Sequence, residues 1–161
     1  MRMLLAALLL LGTATVIAAE TRELDWDELL PQDSAGTLLP EDPLAVIRGD
    51  EVITTQSPAG AINKELDGLS VRIPGFLVPL ESDEGGLLTE FFLVPYFGAC
   101  IHVPPPPPNQ IVYVTVDEPF NLETLWTPFW IEGEMATRSK SSLMGTAGYS
   151  IEAKLIEEYE W

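Results

Sequence analysis

Five consecutive prolines, Pro104–Pro108, separate two apolar runs in the stretch Phe91–Gln110, FFLVPYFGACIHVPPPPPNQ. Proline has no backbone N–H and fixes φ near the polyproline II value, so such a run fits the interior of neither a sheet nor a helix. The sequence therefore predicts a stiff loop, a strut on the order of 15 Å long at about 3.1 Å per residue. Just ahead of it stand the only cysteine of the chain, Cys100, and its only histidine, His102. The expected path is a strand that runs through Cys100 and His102 into the strut and re-enters the sheet at Ile111.

Around this strut the chain reads as strands. Leu69–Val78, Glu90–Tyr96, Ile111–Val116, Phe129–Thr137 and Tyr149–Leu155 are rich in β-branched and aromatic residues and are bounded by Gly, Pro, Asp and Asn. Two of them alternate clearly. Phe129, Ile131, Gly133 and Met135 oppose Trp130, Glu132 and Glu134, while Tyr149, Ile151, Ala153 and Leu155 oppose Ser150, Glu152 and Lys154. Ile111–Val116 is apolar on both faces apart from Thr115, as a buried strand would be. Pro74-Gly75 marks a bend or bulge in the first run. Five short strands without long helices between them predict a mainly β fold, a small OB-like barrel or a sandwich, over residues 66–161.

The N-terminal part differs. Met1–Ala19 carries Arg2, an apolar run Leu4–Leu11 and small residues ending at Ala18 and Ala19, the pattern of a signal peptide cleaved after one of those two alanines. Glu20 and the short apolar run argue against a membrane span, and no transmembrane segment is expected after cleavage. The expected compartment is the periplasm. Residues 20–65 read as irregular, with Leu24, Trp26, Leu29 and Leu30 spaced for a short amphipathic helical turn ended by Pro31 and a second short helix near Pro43–Arg48. The net charge of -17 opposes binding to nucleic acid or anionic lipid.

Chemistry has few places to reside. In an extended backbone Cys100 and His102 would point to the same side, as a thiolate with its base or two zinc ligands would need. A closed zinc site wants four donors, which would have to come from carboxylates such as Asp83, Glu84 or Asp117, or from a second chain. A Cys-dependent enzyme would need an orienting residue, with Asn109 the nearest, and backbone freedom such as Gly98 supplies. The plain alternative is a buried Cys100 and a His102 bonded to a loop carbonyl. A lone cysteine excludes an internal disulfide and a C-x-x-C redox pair, and the chain has no P-loop, G-x-G-x-x-G, H-E-x-x-H or G-x-S-x-G. Trp126, Phe129 and Trp130 around Pro128 read as core packing or as a partner-binding patch beside the strut, with Pro104, Pro105, Pro106, Pro107, Pro108, Asn109, Trp126 and Trp130 as its candidate residues.

The strings VRIPGFLVPLE and EFFLVPYFGACIHVPPPPPNQIVYV resemble the signature of small secreted proteobacterial proteins, the domain of unknown function numbered 3299. The likeness is dense from Leu69 to about Val116, and the WDELLP element is similar too. The resemblance implies an exported protein and tilts Cys100 and His102 toward zinc handling beside an ABC-transporter component. The expectation is an exported, non-enzymatic accessory or binding protein of the bacterial envelope. The alternatives are a Cys100/His102 enzyme and a scaffold module for another envelope protein.

Overall fold

The computed structural model describes residues 20–31 and 60–159. The expected signal peptide and the helix near Pro43–Arg48 lie outside these residues. In chain order the strands are β1 (Arg22–Glu23), β2 (Ser70–Ser82), β3 (Leu88–Val94), β4 (Val112–Phe120), β5 (Phe129–Ala136), β6 (Lys140–Ser142), β7 (Gly145–Ala147) and β8 (Tyr149–Glu158). Short 3-10 turns occupy Trp26–Leu29, Lys64–Leu66 and Pro108–Gln110. The five expected strands are β2, β3, β4, β5 and β8.

They form a closed barrel in the order β2-β3-β4-β8-β5, with β5 pairing back onto β2. β4 and β8 run parallel, and the other barrel pairs are antiparallel. This is the OB-like arrangement, and the closed ring rules out the sandwich that the same strands would equally have suited. Closure depends on β2. Its first half, Ser70–Gly75, pairs with β5, and its second half, Phe76–Ser82, pairs with β3. Pro74-Gly75 is therefore a change of partner inside one continuous strand, and the register shifts come later, between Pro79 and Ser82. Only glycine fits at the switch, because a Cβ on Gly75 would lie 2.7 Å from the Val94 carbonyl oxygen.

The alternation predicted for β5 is present: Phe129, Ile131, Gly133 and Met135 are buried and face the core. That of β8 holds for Tyr149, Ile151 and Ala153 and then reverses. The β5–β8 ladder shifts register after Gly133, which sits opposite Ala153, while Glu132 sits opposite Leu155. The extra residue on β8 is Lys154, and one inserted residue swaps the faces of everything beyond it. Ile156 packs against the core, and Leu155, expected inside, is 43% exposed.

The N-terminal segment caps one end of the barrel. Leu24 and Leu29 are fully buried, and the expected helical turn is the 3-10 turn Trp26–Leu29, with the Glu28 carboxylate accepting the Asp25 N–H. The Tyr149 hydroxyl donates to the Leu29 carbonyl and accepts from the Asn63 N–H, and the Asn63 side chain donates to the Glu28 carbonyl. Among the described residues no helix is long and apolar enough to cross a membrane.

Gly133 is the tightest point of the barrel, since a Cβ there would stand 2.2 Å from the Glu152 carbonyl oxygen and 2.6 Å from Ile151 Cγ2. Gly133→Ala is expected to cost about 3 kcal/mol in urea unfolding, the upper range for overpacking. A loss within about 0.5 kcal/mol of zero would contradict this packing.

Candidate functional site

The Cys100 loop is coiled. The Gly98 carbonyl accepts the N–H groups of Ile101, His102 and Val103 at 3.2, 2.8 and 3.1 Å. Gly98 has φ +82°, and Cys100 itself lies in the left-handed region at φ +64°, uncommon for a residue with a side chain. The extended backbone on which the same-side pairing of Cys100 and His102 rested is absent. Cys100 packs, half-buried, against a small apolar cluster that includes Val94, Ala99 and Ile111. His102 is exposed beside the Phe97 ring, 6.4 Å between centroids.

Burial pushes the Cys100 thiol up to about 12, which opposes the thiolate that a nucleophile needs. The carboxylates proposed to complete a metal site are elsewhere engaged. Asp83 Oδ1 accepts the N–H groups of Gly85 and Leu87 at 2.9 and 2.8 Å in the β2–β3 turn, beside exposed Glu84, and Asp117 lines a cleft between β4 and β8. Among the described residues no three of His, Cys, Asp and Glu gather to hold a metal. The donors brought together among the described residues do not fit a zinc centre.

The strut is packed onto the barrel. Pro106 is buried, and Pro108 opens the 3-10 turn Pro108–Gln110, the first-turn position where a missing N–H costs nothing. The Pro108 carbonyl accepts the Gly148 N–H at 2.6 Å, which ties the strut to the start of β8. Asn109 and Gln110 are buried, and their amides donate to the Ala61 and Trp26 carbonyls at 3.1 and 3.0 Å. Asn109 is thus withdrawn both from the partner surface and from the role of orienting His102. With Tyr149 it anchors the N-terminal segments, a task that links residues too distant in sequence for spacing to disclose. The one signal was a pair of amides placed between prolines and an apolar strand.

The Trp126, Phe129 and Trp130 cluster is three separate environments. Phe129 is core, edge-on to Phe120. Trp130 lies on the outer face of β5 with the Arg72 guanidinium 4.5 Å above its ring, and Arg72 also binds Glu157 at 3.0 Å. Trp126 is 71% exposed yet stacked on Phe97, with centroids 3.9 Å apart and planes at 17°. Phe97 in turn meets Phe76 edge-on at 6.0 Å. These rings meet because the end of β3 and the start of β5 converge on the β2 switch, where Val94 sits opposite Phe76 and Phe129 opposite Gly75.

OB barrels bind ligands on the outer face of their second and third strands, here β3 and β4. That face is covered. Phe92 and Val94 are buried under Ala99, Cys100, Val103, Ala147 and Met144, and Lys140 of the β6–β7 hairpin lies 4.8 Å over the Tyr113 ring. The strut loop and the hairpin fill the place of a ligand, and the exposed Trp126, His102 and Ile101 stand at the margin of this cover.

Burial also holds Tyr96 and Tyr149 up at about 12. These groups favour the fold while neutral, so their contribution is intact below the ordinary values of 9.0 for the thiol and 10.0 for the phenols and is lost as pH rises toward about 12. The urea midpoint is expected to fall over that interval. Native Cys100 should react with iodoacetamide far more slowly at about pH 9 than in the unfolded chain, and equal rates would contradict the buried thiol.

The sequence profile described as protein of unknown function (DUF3299) matches residues 26–158. A solved relative, the crystal structure of a DUF3299 family protein from Pseudomonas aeruginosa PAO1, is 42% identical, with a TM-score of 0.74 over 89% of this chain and 99% of that one. No functionally curated protein matches the chain. A profile that spans most of the chain, together with a relative of this identity, establishes that the chain belongs to the DUF3299 family.

Proposed function

We propose that this protein is an exported, non-enzymatic binding module of the bacterial envelope that engages another envelope protein, such as an ABC-transporter component, through the surface around Trp126. The observation that carries this reading is an indole 71% exposed but fixed by a stack on Phe97. A rigid aromatic with one face open gives up little rotamer entropy on binding, and tryptophans dominate binding hot spots. The leader-like Met1–Ala19 supports export to the periplasm, and the charge of -17 favours a basic partner.

Two rival readings have less support. A Cys-dependent enzyme needs a thiolate, and the Cys100 thiol is held neutral by burial. Zinc handling would rest on His102 with donors supplied by the partner, since Cys100 is coiled away into the cluster.

Recovery of one envelope protein on immobilised mature chain, compared among wild type, Trp126→Ala and Trp130→Ala, tests the proposal. Trp126→Ala is expected to weaken recovery about thirtyfold, a hot-spot loss of about 2 kcal/mol, while Trp130→Ala retains it. Equal recovery by wild type and Trp126→Ala would refute it.

A further inference from the structure

The barrel has one open seam. The parallel ladder between β4 and β8 ends at Val116 and Ala153, and beyond it β4 turns toward β3 while β8 stays with β5. The Lys154 bulge lies at this point. The strands part around a cleft of about 700 Å³. Its apolar floor is continuous with the core through Val116, Phe120, Phe129 and Ile156. Its rim carries the carboxylates of Asp117, Glu118, Glu152 and Glu158 against the single ammonium of Lys154.

We propose that this seam is a docking groove for an extended, basic segment of a partner protein, which adds as a strand along β8 from Lys154 to Glu158. The β8 edge is the receptive one. Among the described residues its β4-facing side has no strand partner past Ala153, whereas the facing stretch of β4 contains Pro119, which offers no N–H. Main-chain bonds hold the segment in register, an apolar side chain packs onto the floor beside Phe120 and Ile156, and flanking lysines or arginines meet the rim.

Charge selects the occupant. A second copy of this chain brings another -17, and residues 32–59 of the same chain carry Asp33, Glu41, Asp42, Asp50 and Glu51 against Arg48 alone. Both are repelled by a rim with four carboxylates and one ammonium. The groove is separate from the Trp126 surface, so either can fail without the other.

The test is fluorescence anisotropy with the mature chain and a short labelled peptide of alternating lysine and valine, at about 150 mM salt so that long-range attraction to an acidic protein is screened. The same peptide with glutamate for lysine, and one with a central proline, serve as controls. Saturable binding of the lysine peptide alone is expected, with affinity about tenfold lower in Glu118→Lys/Glu158→Lys and unchanged in Trp126→Ala. Both reversed residues are exposed, and circular dichroism of the variant establishes that it folds. Equal affinity in the reversed variant, equal binding of the proline peptide, loss in Trp126→Ala, or no saturable binding would each overturn the proposal.

Discussion

The switch of partners by β2 at Pro74-Gly75 is the constraint from which the rest of the architecture follows. A sheet that ended at β2 would present two open edges, each a template for unwanted pairing. By pairing with β5 before the switch and with β3 after it, one strand removes both edges. The close approach of the Val94 carbonyl to Gly75 permits no side chain there, and the absent N–H of Pro74 falls where the ladder changes hands. The switch also sets where the loops meet. It draws the end of β3 and the start of β5 together, so Trp126 stacks on Phe97, which meets Phe76 edge-on, although Phe97 and Trp126 belong to different connections.

Polar groups fasten the N-terminal segments to the barrel. Tyr149, Asn63, Asn109 and Gln110 bind carbonyls and N–H groups of segments that have no strand of their own. Removing one partner from such a buried pair leaves the other unsatisfied, at a cost of about 1–3 kcal/mol. The N-terminal turn is thereby part of the domain: Leu24 and Leu29 complete the core, and Trp26 donates to the Pro74 carbonyl at the switch itself, 2.7 Å away.

The strands were legible in the sequence because alternation and β-branched composition are local properties, and Phe129–Met135 kept its predicted faces. Closure was not legible, since it depends on which partner β2 chooses and not on what β2 contains. The same holds for Leu155, whose outward turn is caused by a bulge opposite Gly133 on another strand. For Cys100 and His102 the composition was informative but the backbone was not: Gly98 permits a coil in which one carbonyl gathers three N–H groups, and the pair is separated. The proline run lies outside the sheet as expected but has a different task. It carries the Cys100 loop across the outer face of β3 and β4, where other OB barrels hold a ligand, and leaves the aromatic margin and the β4–β8 seam exposed.

Packed in this way, the cover belongs to the fold and is expected not to open to admit a ligand. Native-state hydrogen exchange of the amides of His102, Val103, Gln110 and Gly148, which bond within the cover or to the strut, measures this directly. They are expected to exchange with the slow, stability-dependent amides of β3. Fast exchange at these amides while β3 stays protected would show a cover that lifts on its own, and the face beneath it would then be the binding site.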